Sequence, residues 1–163
     1  MPDINAALRL HAEYYLNELR RAHALYVNEV DGTSEALNLF DENYQHMQQA
    51  QEWASAYMDK YHIAAFMCIA FVDSGGELFE CRQNSREHLK WVEDALSASL
   101  ELRDPRSTSA VLNTLGTIRA KLGETEKAIA AYEQSLQIDR RVQSCTQSSR
   151  PAASSTGSSP ASR

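Results

Sequence analysis

Cys68 and Cys81, together with His62 and His88, carry the side chains that zinc prefers. A compact zinc site takes its ligands in close pairs, a few residues apart. Here five residues separate His62 from Cys68, twelve separate Cys68 from Cys81, and six separate Cys81 from His88, which matches no such pattern. Cys68 also lies in an apolar helical run, where a small buried thiol is ordinary. His11 and His23 share a helix with Glu13 and Glu18, but no Ser, Cys or paired carboxylate stands where a nucleophile and a base would meet. Tyr14, Tyr15, Tyr26, Tyr44 and Trp53 read as core and inter-helix packing rather than a cofactor box. The expectation is no enzyme, no metal and no cofactor.

If side-chain chemistry does not carry the function, shape must, and the elements that give shape are helices. Residues 107–139 read STSAVLNTLGTIRAKLGETEKAIAAYEQSLQID. Leu112, Leu115, Ile118 and Leu122 recur at intervals of three and four, one apolar stripe at helical period. Gly123 stops that helix, and Ala128, Ile129, Tyr132 and Leu136 restart the stripe on a second one. Gly116 lies inside the first helix, where Gly costs about 1 kcal/mol against Ala, so it signals a close helix crossing, with Ala128 as a suitable small partner.

This hairpin resembles a tetratricopeptide repeat. The family's positions fall on Leu115-Gly116, Gly123, Ala128, Tyr132 and Ser135-Leu136. Leu112 stands where the family often has Trp, Arg119 replaces the usual Tyr, and Arg140 stands near the usual terminal Pro. A second, degenerate copy lies forty residues earlier: Gly76 falls on Gly116, Leu89 on Ile129, Val92 on Tyr132, Ala95 on Ser135 and Leu96 on Leu136. In that copy Gly75 replaces the Leu and His88 replaces Ala128. Pro105 closes the connection between the copies, and Ser107 or Thr108 is expected to cap the helix that follows.

Two further helices precede the repeats. The first is expected from Ile4 to Val30, with Leu8, Ala12, Tyr15, Leu19, Ala22 and Tyr26 on its inner stripe. Asp31-Gly32-Thr33 breaks it, and Thr33 or Ser34 can cap the second helix. That helix places Leu37, Phe40, Met47, Ala50, Ala54 and Tyr57 inward with Trp53 nearby, and Gln45, Gln48, Gln49 and Gln51 outward. The third helix is expected over residues 60–81, and Asn84-Ser85 turns into a fourth over 86–102. The stretches HAEYYL at 11–16, FDEN at 40–43 with AQEWA at 50–54, and Arg86 to Trp91 are similar to the helices and repeats that follow the ATPase part of bacterial NB-ARC-type signalling proteins. No GxxxxGK[ST] loop is present, so the resemblance implies the sensor end and no ATPase activity.

The fold expected is therefore all-α, a right-handed α-solenoid of antiparallel helical hairpins with about six helices. Residues 1–59 form an N-terminal helical pair, 60–142 two tetratricopeptide-like repeats, and 143–163 a disordered Ser-rich tail, since the tail has almost no large apolar side chains. Such a tail suggests a truncated array. A hydrophobic content of 43% is ample for a core, and a net charge of −6 without a basic patch argues against nucleic acid. The first residues lack the pattern of a signal peptide, and the longest apolar run, Ile63 to Val72, is half what a membrane helix needs. With three cysteines and no disulfide framework, the expectation is a cytoplasmic protein away from membranes.

In such a solenoid the first helix of each hairpin lines the concave face. Asn113, Thr117 and Lys121 fall there, with Asp73, Glu77 and Glu80 as the group forty residues earlier. Asn can hold a peptide backbone through donor and acceptor together, and the three carboxylates favour a basic segment. The reading is a protein–protein interaction module, the scaffold or sensor part of a bacterial signalling regulator. It would bind a basic or helical partner, or self-associate through its last helix. The competing readings are a regulatory domain holding a small molecule among Tyr44, Trp53 and Tyr57, and a truncated product of a longer repeat protein.

Overall fold

Six amphipathic or apolar segments separated by turn residues fold into six helices in a computed structural model that describes residues 4–28, 32–82 and 84–148. They are α1 (Ile4–Asn28), α2 (Thr33–Tyr57), α3 (His62–Arg82), α4 (Ser85–Glu101), α5 (Pro105–Lys121) and α6 (Thr125–Ser148). Among the described residues every regular element is helical. α1 packs on α2, α3 on α4, and α5 on α6, while α3 also packs on both α1 and α2, and α5 packs on α4.

α3 is apolar nearly all round because it is covered from several sides. Ala64, Ala65, Met67, Cys68, Ile69, Ala70, Phe71 and Val72 are all buried. Its most apolar stretch has a mean hydropathy of 1.3, enough by length and composition for a membrane span, and 61% of that stretch is buried inside the protein. The core continues through Phe40, Met47 and Trp53 of α2 and through Phe79, Trp91 and Val92, where Phe79 stands edge-on to Phe40, His88 and Trp91.

Several local expectations are corrected. The inner stripe of α1 is Ala12, Leu16, Leu19 and Ala22, and Leu8 is partly exposed, so Leu16 belongs to the core and Leu8 lies at its rim. Gln51 is not on the solvated face: it is 1% exposed, level with Met47, Ala50 and Ala54. The N-cap of α2 is Gly32, without a side-chain hydrogen bond. α5 is capped by Asp104 rather than Ser107 or Thr108; its carboxylate accepts from the backbone N–H groups of Arg106 and Ser107, with Pro105 opening the first turn. Asn84 caps α4 through Arg86 N–H at 3.0 Å. α6 continues past Val142 to Ser148, so the start of the expected tail is helical; residues 149–163 lie outside the described residues.

The hairpin of α5 and α6 holds the repeat-signature residues. Leu112, Leu115 and Gly116 are buried on α5, Ala128 is buried on α6, and Gly123 turns between the helices at φ +79°. The nearest neighbour of Gly116 is Tyr132: a Cβ on Gly116 would stand 2.8 Å from the Tyr132 ring. Leu136 is 54% exposed. Gly76 differs from Gly116 in geometry, because α3 kinks there at φ +39° and ψ −125°, outside helical values. Gly75, in the position of Leu115, leaves room that the Phe79 ring fills, since a Cβ on Gly75 would fall 1.8 Å from it.

Candidate functional site

The polar residues of α3 and α5 meet in a groove of about 290 Å³. Val72 and Ile118 are buried residues of its wall, Asp73, Glu77 and Glu80 come from α3, and Asn113, Thr114 and Thr117 come from α5. Helical spacing puts 77 and 80 on one face of α3 after the Gly76 kink and 113, 114 and 117 on one face of α5, while Asp73 reaches the groove from the turn before the kink. The expected partner-binding residues are thus brought together, with Lys121 next to the groove through its bond to Glu80.

Their charges are partly spent on one another. Lys121 Nζ lies 2.8 Å from Glu80 Oε1, so the lysine is a partner of the acidic row rather than a free contact. His23 Nε2 of α1 lies 2.9 Å from Glu77 Oε2, and the hydrogen bond from His23 holds the Glu77 carboxyl below the usual range. Among the described residues Asp73 has no ion-pair partner. Neighbouring protein displaces water from around its carboxyl and raises its pKa. Thr117 Oγ1 donates to the Asn113 carbonyl at 3.1 Å or shares a proton with Tyr132 Oη at 3.1 Å, which ties this residue to its own hairpin. The Asn113 side chain is exposed and makes no hydrogen bond among the described residues, so its amide is open to a ligand.

Two histidines, His88 in the groove and His23 bonded to its Glu77, were not singled out as site residues by the sequence. His88 lines it from α4; burial lowers its pKa to about 4, so the ring is neutral near pH 7. Its signal was positional, because His88 stands where the later hairpin has the buried Ala128. His23 sits across from the Gly76 kink, where a Cβ would approach His23 Nε2 to 3.0 Å. The packing of α1 on α3 brings His23 to Glu77, and no spacing within one helix signals it.

The other candidate chemistry is dispersed. Cys68 is buried, and desolvation with the nearby Asp94 pushes its thiol up to about 12, far from a reactive thiolate. Cys81 is exposed, with Sγ 3.6 Å from Tyr26 Oη. Among the described residues no three His, Cys, Asp or Glu side chains converge as metal ligands. The aromatic trio of the ligand-sensing reading is divided. Trp53 packs with Tyr57, whereas Tyr44 lies tilted against Phe40 and stacked on Trp91, about 14 Å from Trp53 along α2.

No family model, no curated protein and no solved structure matches the chain.

Proposed function

We propose that this protein is a tetratricopeptide-like helical-repeat module that binds a protein partner in the groove between α3 and α5. Its hairpins stack as a right-handed solenoid, and it serves as the scaffold or sensor part of a bacterial signalling regulator in the cytoplasm. It has no catalytic role in this reading. The observation that carries the repeat is a shared register of burial. Cys68, Ile69, Phe71, Val72, Gly75 and Leu78 are buried on α3, and the residues forty positions later, Thr108, Ser109, Val111, Leu112, Leu115 and Ile118, are buried on α5. The same shift relates His88 and Ala95 of α4 to the buried Ala128 and Ser135 of α6.

The groove favours an extended basic segment. Asp73 and Glu77 offer carboxylates, Asn113 offers a backbone-reading amide, and Lys121 already balances Glu80. A fluorescent peptide rich in Lys and Arg should bind with an affinity that falls as salt rises. Asp73→Asn and Asn113→Ala should each weaken it by about 5- to 10-fold while leaving helicity unchanged. Equal affinity for a peptide of reversed charge, or no effect of either substitution, would refute a basic partner in this groove.

A further inference from the structure

On the other side of the helix pairs, α2 and α4 touch only slightly, and the gap between them holds a cavity of about 250 Å³. Gln51 lines it from α2. This side chain is 1% exposed, and neither its Oε1 nor its Nε2 has a hydrogen-bond partner. A buried carboxamide left unpaired is strongly unfavourable, and a leucine would fill the same place in the stripe of Met47, Ala50 and Ala54 without that cost. The rest of the lining is acidic on balance, since Glu52, Glu87 and Asp94 outnumber the one cation, Lys90. Glu87 and Asp94 present carboxylates from α4, Ser55 adds a hydroxyl beside Asp94, and Trp91 supplies an apolar wall. Burial raises the pKa of Asp94, so a cationic ligand would relieve a desolvated carboxyl. The hydrogen bond that Gln48 donates to Glu87 bridges the same gap.

We propose that this cavity binds an ammonium joined to an amide, the chemistry of a peptide's free N-terminus or of a small amino-acid amide. The ammonium lies against Asp94, and Glu87, two turns away on α4, adds to the negative potential of the cavity. The adjoining amide unit pairs with both halves of the Gln51 carboxamide, donor to acceptor and acceptor to donor. The side chain of the ligand's first residue lies against Trp91. The site is separate from the α3–α5 groove, and it stands or falls independently of the basic partner proposed there.

The test uses the full chain, isotopically labelled and titrated with alaninamide, with the dipeptide amide Ala-Ala-NH2, and with N-acetyl-alaninamide. The two ligands with a free ammonium should shift the side-chain amide signals of Gln51 and the indole signal of Trp91, and the acetylated one should bind at least 10-fold more weakly. A clear preference for the dipeptide assigns the site to a peptide terminus, and equal binding assigns it to a small molecule. Asp94→Asn should lose about 10-fold in affinity at unchanged melting temperature. Gln51→Leu should abolish binding and melt at the parent temperature or above. Failure of both ammonium ligands to bind overturns the proposal. So does a Gln51→Leu variant that melts well below the parent or fails to fold, because the amide would then be serving the fold itself.

Discussion

Arg103 and Gly123 hold the same place in two successive helix ends. At the end of α4, Asp104 N–H donates to the Ser99 carbonyl and Arg103 N–H to the Leu100 carbonyl. At the end of α5, Glu124 and Gly123 make the same two bonds to Arg119 and Ala120. The shared turn requires a left-handed residue, and Gly123 takes it at φ +79° while Arg103 is forced to φ +52°. Arg103→Gly should therefore raise stability by about 0.5–1 kcal/mol, and Gly123→Ala should lower it by about 1 kcal/mol, both read from denaturant midpoints. His88 supplies a pH dependence of definite sign. Its folded pKa, about 4, lies below the ordinary imidazole value of 6.5, so between those values the unfolded chain binds a proton that the folded chain refuses. This contribution leaves stability whole above about pH 6.5 and erodes it as pH falls toward 4. After allowance for partial solvent access the loss is about 2 kcal/mol. His88→Phe, which keeps a ring against Phe79, should flatten that part of the stability–pH curve; an unchanged slope would place the acid sensitivity elsewhere.

At the scale of elements, the hairpin of α5 and α6 was the most legible part of the sequence, because period and turn residue agree there. Its packing partner was not legible: the sequence paired Gly116 with a small residue, and the structure closes it against the Tyr132 ring, which Thr117 can hold by its hydroxyl. A Gly can admit the face of a large ring as well as another small residue, and spacing alone does not distinguish the two. Gly116→Ala therefore gains about 1 kcal/mol in helix propensity but puts a methyl 2.8–2.9 Å from three ring atoms. With the ring tethered, overpacking should dominate, for a net loss of about 1 kcal/mol, and Gly116→Leu should lose about 2–3 kcal/mol. Thermal melts of the two variants check the order, and an Ala variant more stable than the parent would mean the ring moves freely. Gln51 was misread for a different reason. Residues 47, 50, 51 and 54 fall at helical core spacing, but a polar side chain in that stripe is assigned outward unless a partner across the gap is known. The groove residues of α3 and α5 were legible because a forty-residue repeat fixes which faces align; His23 was not, since α1 stands outside that repeat.

At the scale of the whole molecule, α4 and α6 show what a following helix does. Leu89 and Leu96 of α4 are packed against the core, with α5 coming next in the chain. Ile129 and Leu136, forty positions later on α6, are 52% and 54% exposed, and among the described residues no helix follows α6. Beside Leu136 runs a groove of about 590 Å³ between α5 and α6, edged by Ser109, Asn113, Tyr132, Ser135 and Asp139. Ser109 donates to Asp139 at 2.6 Å and Ser135 donates to the Ser109 carbonyl at 3.0 Å, so the groove floor is fixed by the hairpin's own bonds. An apolar edge of this kind favours association. Ile138, two residues after Leu136, packs on the core, so charge there would damage the fold instead of the surface. Sedimentation velocity at high micromolar concentration should show the parent self-associating and Leu136→Glu as monomer, with helicity and melting temperature of the variant within error of the parent. Ile138→Glu should lower the melting temperature, by an amount equivalent to about 1–3 kcal/mol. A parent that sediments as a strict monomer at that concentration, and takes up no added amphipathic helix, would leave the exposed Ile129 and Leu136 as ordinary surface side chains.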